Sequence, residues 1–268
     1  MISEMFSYEF MKNAFLAVLV ITPLFGLLGT IVVSNKMAFF SDALGHSALT
    51  GMGIGVLLGI ANIDLAMALF GIAFALLLNW IRRRNVISND TVISVFASFS
   101  TAIGLVILSK GGNFSKYSSL LVGDILSISR KQVAIIAAVL VFTLIFWGIC
   151  FNSLHEISIS ESLAKSRGIN VRLYDNIFAV ILALIVMLTI KWVGILIINA
   201  LLIVPAAAAR NLSSNEKEYH IFSVVIALFC GIMGLVLSFF INVAAGPMIV
   251  VFAAIIFFVT LVARPLVK

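Results

Sequence analysis

Asp42 and His46 stand four residues apart inside an apolar run. On a helix they fall about 40° apart on one face. If that run enters the membrane near Met37, His46 lies about 13 Å deep. An ionisable side chain at such depth is costly unless paired or hydrated, which makes it a candidate functional group. Carboxylate oxygen and imidazole nitrogen together suit a divalent transition metal such as Zn²⁺ or Mn²⁺. Two ligands leave the shell incomplete, so other spans, a second copy of the chain or water must contribute. An ordinary interhelical hydrogen bond is the plainer use of the same pair.

The same run carries Gly51, Gly55 and Gly59, a doubled G-x-x-x-G. Small residues at this spacing let helices approach closely. They project away from Asp42, so the run reads as two-faced, one face packing and one lining a path. Further along, Pro205 precedes Ala206–Ala209. Proline removes an N–H and kinks a helix, so this position is a candidate hinge or gate. The remaining ionisable groups are weaker candidates. Asp64, Asp90 and Asp175 read as boundary or N-cap residues, and His155 and His220 as solvated span ends. Cys150 and Cys230 read as small buried apolar residues.

Between the spans, Ser158 to Gly168 reads as a short capped helix of roughly 14 Å. Ser158 and Glu161 have the S-x-x-E capping-box spacing, Lys165 and Arg167 suit the negative end of the dipole, and Gly168 suits a left-handed C-terminal cap. Ile159, Leu163 and Ala164 give it a small apolar face, fit for a groove on a partner or for the protein's own surface. No G-x-x-x-x-G-K-[ST], H-E-x-x-H or G-x-S-x-G occurs. The chain therefore reads as a non-enzyme, and if ATP drives it, the ATPase is another chain.

These residues must be held by membrane helices. The chain of 268 residues is 63% hydrophobic and carries 17 Lys+Arg against 11 Asp+Glu, with mean hydropathy +1.23. Soluble domains are roughly half apolar and about a quarter charged, so soluble enzymes, nucleic-acid modules and secreted disulfide scaffolds are excluded. Nine apolar spans are predicted, at 14–33, 38–61, 64–81, 90–109, 131–151, 174–190, 193–209, 220–241 and 246–263. Each approaches the ~20 residues that cross hydrocarbon. Residues 118–129 are too short and polar to cross and read as a half-helix. One transmembrane domain over 1–268 is expected. Alternate connections collect Lys36, Arg82–Arg84, Lys165, Arg167, Arg172, Arg210, Lys217, Arg264 and Lys268, the larger share of the cations. By the positive-inside rule that side is cytoplasmic, which puts the N-terminus outside and the C-terminus inside. The other side holds Lys116, Arg130 and Lys131, which suit lipid head groups or a docking surface.

The stretch Met37-Ala-Phe-Phe-Ser-Asp-Ala-Leu-Gly-His-Ser-Ala-Leu-Thr-Gly51 resembles the second-span signature of the metal-ion ABC importer permeases, the zinc/manganese/iron group. Further blocks agree in order: Leu121–Ser129 is similar to the family's extracellular half-helix, and Ala164 with Gly168-Ile169 to its coupling loop. Lys191-Trp-Val-Gly-Ile-Leu through Arg210 is similar to its late-span motif, and Gly246-Pro247 with Ile249-Val250 to its last span. Gly45 and Thr50 stand where the family often has Ser and Pro.

The resemblance implies an all-α polytopic permease that forms one pathway from two copies in a bacterial plasma membrane. Two cytoplasmic ATPase subunits and an extracytoplasmic metal-binding protein would complete it. It further implies that Asp42 and His46 line the metal path and that the helix bearing Glu161, Ala164 and Gly168 couples to the ATPase. The metal is cargo, and no permanently bound cofactor is expected. A proton-coupled secondary carrier, with Asp42 and His46 as a relay, is the alternative. An intramembrane enzyme finds no catalytic constellation.

Overall fold

The computed structural model describes residues 5–84, 89–110 and 123–267. They form α1 (Glu9–Ser34), α2 (Ala38–Leu57), α3 (Ile63–Arg82), α4 (Asn89–Lys110), α5 (Arg130–Ile159), α6 (Glu161–Ser166), α7 (Val171–Val193), α8 (Ile195–Leu212), α9 (Glu216–Ile241) and α10 (Ala245–Val267). A 3-10 turn covers Ile125–Ser127. The described residues contain no strand. Helices are the expected answer, because hydrocarbon offers no partner to a backbone N–H or C=O, and a helix satisfies both internally. Among the described residues, eight helices are long and apolar enough to cross a membrane. The ninth expected span is α2. Its 20 residues reach about 30 Å, but Asp42, His46, serines and glycines dilute its apolar character.

The chain groups into two compact units. One comprises Met1–Ser34, Leu121–Ile149 and Trp192–Lys268, and the other Asn35–Leu120 and Cys150–Lys191. Each unit is assembled from separated segments of the chain. α5 contributes to both.

In the first unit α8 packs on α1, α9 and α10, and α1 packs on α9. Hydroxyls knit the apolar seam: Ser223 Oγ donates to the Gly26 carbonyl at 2.6 Å and Tyr219 to the Thr30 carbonyl at 3.3 Å. His220 is not the solvated residue expected. Its Nδ1 lies 2.9 Å from Thr30 Oγ1 and its ring meets the edge of Trp147. α8 runs unbroken through the buried Pro205. The interruption falls instead at Gly194, the one residue between α7 and α8, with φ 86° and ψ 153°, a region essentially reserved for glycine.

In the second unit α2 packs on α3 and α4. Gly51 and Gly55 face α3, where a Cβ on Gly55 would come within 2.7 Å of Ala66 Cβ. Gly59 departs from the expected packing stripe. It lies beyond the end of α2 at φ +64° with nothing near a Cβ, because the helix stops at Leu57 and Gly59 serves the turn. Against α4 the approach is closer still: a Cβ on Gly104 would lie 2.6 Å from the Thr50 backbone nitrogen. Thr50 Oγ1 donates to the Ser100 carbonyl, and Ser100 Oγ donates to Thr50 Oγ1 at 2.9 Å.

Candidate functional site

α2 is buried along most of its length, including Ser41, Ala43, Leu44, Gly45, Ser47 and Ala48. The exception near its start is a stripe at positions 39, 42 and 46. Phe39 is 51% exposed, and the side chains of His46 and Asp42 are 37% and 45% exposed. His46 Nε2 lies 3.7 Å from Asp42 Oδ1. Ser41 and Ser47 are turned away, their hydroxyls donating to the Ala38 and Leu44 carbonyls. Two donors 3.7 Å apart can both reach one ion at the ~2.1 Å of Zn–O and Zn–N bonds. No group of three or more His, Cys, Asp or Glu that could hold a metal occurs among the described residues.

One end of α3 and α7 holds a second charged cluster. Asp175 was expected at a boundary, yet its side chain is only 13% exposed and pairs with both Arg82, at 3.4 Å, and Arg83. It sits in the first turns of α7, where the guanidiniums of Arg82, the last residue of α3, and of its C-cap Arg83 offset part of its desolvation. Asn79 Nδ2 donates to Asn176 Oδ1 beside it. Arg83 Nη1 then reaches Glu161 Oε1 of α6 at 3.6 Å. Glu161 also accepts from Lys165 at 2.9 Å, and that hydrogen bond holds its carboxyl below the usual range. At the other end of α3, Asp64 pairs with Lys191, while Asn62 is the N-cap.

α6 is shorter than expected and capped differently. Ser158 stays in the last turn of α5, where its hydroxyl donates to the His155 carbonyl. Ser160 is the N-cap, accepting from the Leu163 N–H at 3.3 Å. The capping box therefore does not form, because α5 continues to Ile159 and leaves Ser158 no free end to cap. Gly168 takes φ +79°, and the Ile169 N–H returns to the Ala164 carbonyl at 3.0 Å. Ala164 is fully buried in a small cluster with Ile157 and Val171. It seats α6 on its own unit, and Ile159 and Leu163 form the exposed apolar face, at 65% and 43%.

Other expected features fall as follows. Residues 118–122 of the predicted half-helix, and Lys116 before it, lie outside the described residues. The described part, 123–129, contains a 3-10 turn at Ile125–Ser127, with Asp124 accepting from the Leu126 N–H. Gly123, at φ +73°, lies so close to Val193 that a Cβ would meet its carbonyl oxygen at 2.2 Å. Arg130 pairs with Glu9 at 3.0 Å. Sequence reasoning missed Asp175 and Arg83 as partners. The Arg82–Arg84 triplet was the available signal, but it reported orientation only.

The chain matches the ABC 3 transport family over residues 7–264. It is 31% identical to the high-affinity zinc uptake system membrane protein ZnuB of Haemophilus influenzae over 261 residues, 96% of this chain and 98% of that protein. It is 28% identical to the manganese import system permease protein ScaB of Streptococcus gordonii over 264 residues, 98% and 95% of the two. Among solved structures, PsaBC from Streptococcus pneumoniae in complex with Fab has a chain that superposes with TM-score 0.85 at 28% identity. That match covers 97% of this chain and 95% of the other.

Proposed function

The chain belongs to the ABC 3 transport family, whose model it matches over residues 7–264, and on that premise we propose that it is the permease subunit through which an ATP-driven importer moves a divalent transition metal inward. The observation that carries this reading is the open Phe39–Asp42–His46 stripe on an otherwise buried helix. A hydrated dication cannot enter hydrocarbon, so its path must offer oxygen and nitrogen donors in place of water. Those donors must hold it weakly enough to let go. One carboxylate and one imidazole per chain suit that demand. A second copy presenting the same stripe doubles the set to two of each, so the pathway is a homodimer with the stripes facing each other. The zinc and manganese systems named among the relatives make those two ions the first cargoes to test.

In this reading the Arg82–Arg84 side is cytoplasmic, in a bacterial plasma membrane. α6 presents Ile159 and Leu163 to a separate ABC ATPase, and an extracytoplasmic protein delivers the metal. Arg83 links α6 to α3, and Asp175 links α3 to α7, so a push on α6 reaches both spans. The test is uptake of labelled zinc or manganese by the reconstituted permease–ATPase complex. Asp42→Ala and His46→Ala should each abolish uptake while the complex still assembles. Near-normal uptake by both variants overturns the path. Uptake by the permease alone, driven by a pH gradient, would make it a proton-coupled carrier instead.

A further inference from the structure

The Arg83 end of α3 carries two adjoining cavities that the metal path does not use. The first, about 400 Å³, is lined by Leu76, Trp80, Arg83, Arg84, Arg172 and Asn176, between α3 and the start of α7. The second, about 510 Å³, runs along the first turns of α4 and is lined by Val92, Val95 and Phe96 among others. Trp80 and Arg84 belong to both, and the Arg84 guanidinium lies 4.4 Å from the Trp80 ring centroid. The two residues form a ridge with a cationic hollow on one side and an apolar groove on the other.

The charges at this ridge do not cancel. Asp175 and Glu161 face Arg82 and Arg83, while Arg84 and Arg172 add two further cations to the hollow. Trp80 is 53% exposed and Val95 60%, so ridge and groove open outward from the unit. Tryptophan favours the membrane–water interface, and basic pockets between membrane helices recognise anionic head groups. A guanidinium stacked on an aromatic ring keeps its planar fork available for phosphate oxygens.

We propose that this pair of cavities binds one anionic phospholipid of the adjacent leaflet. Its phosphate sits among Arg84, Arg172 and Asn176, and one acyl chain lies along Val92, Val95 and Phe96. The apolar groove selects a lipid over free phosphate, since inorganic phosphate gains nothing from it. The inference rests on the chain spanning a membrane and not on the metal path.

Binding is read without transport, so its failure leaves the permease reading intact. The purified full-length chain is titrated in detergent with phosphatidylglycerol or phosphatidylcholine, and retained lipid is counted by native mass spectrometry. The chain should retain phosphatidylglycerol preferentially. Arg84→Gln and Arg172→Gln should each weaken that preference by about fivefold, whereas Lys12→Gln, at an exposed position of α1, should leave it unchanged. Val95→Asn, an exposed position at which folding is not at stake, should weaken retention of phosphatidylglycerol. Equal retention of both lipids by the unaltered chain overturns the proposal. Displacement of the lipid by inorganic phosphate together with an indifferent Val95→Asn variant also overturns it, leaving a simple anion site.

Discussion

Two acidic residues of the second unit, Asp42 and Asp175, have opposite surroundings. Asp175 is 13% exposed and held by two guanidiniums, and the cluster extends through Arg83 to Glu161 and Lys165. Asp42 is 45% exposed, with His46 at 3.7 Å. A carboxylate enclosed by fixed cations has its charge answered by the protein and works as a fastener. One on a half-exposed stripe beside an imidazole stays accessible from outside the unit. The difference teaches that an acid's type and its place on a helix do not tell its role. What matters is how far the fold encloses it, and under the proposed function only the accessible one is offered to a metal.

Stability measurements sharpen this contrast most. Asp175→Ala leaves Arg82 and Arg83 facing each other half-buried, and removing one partner of a buried pair costs about 3–5 kcal/mol. Asp42→Ala, on an exposed stripe, should stay within about 0.5 kcal/mol. Denaturation of the two purified variants compares them directly, and equal losses would erase the distinction. A smaller effect is expected at the contact that seats α2. Gly104→Ala drives a methyl into the Thr50 and Leu49 backbone, and overpacking of this kind costs about 1–3 kcal/mol. Unchanged stability would mean that α2 is held less rigidly than the fastener region.

The least effect belongs to acid. Glu161 is held below its ordinary value of 4.5, first by its hydrogen bond from Lys165. Its folded-state value is depressed, so the stabilisation is complete at neutral pH and is lost as pH falls below 4.5. Stability followed from about pH 6 to pH 3 should fall slightly less steeply in Glu161→Gln than in the unaltered chain. Identical acid limbs would detach α6 from the charged cluster.

Much of this was legible in one sequence. Helix periodicity alone placed Asp42 and His46 on one face, and hydropathy placed the spans. Gly168 was readable as a left-handed cap because the need is local. The cap at the other end of α6 was misread because Ser158 and Ser160 both suit the role, and only the reach of α5 to Ile159 decides between them. Gly59 matched the packing stripe in spacing, but the helix ends two residues before it. Ala164 looked like a docking residue, and it is buried against Ile157 and Val171.

By itself the sequence determined the membrane-helical class, the order of the spans and the shared face of the carboxylate–imidazole pair. These follow from bilayer thickness and from 3.6 residues per turn, which act over a few turns of chain. Only the tertiary structure decided which charges are enclosed and which stay open. Arg82 and Asp175 meet across 93 residues, and Thr50 and Ser100 across 50. Desolvation and charge pairing depend on neighbours in space, and no local pattern along the chain encodes them.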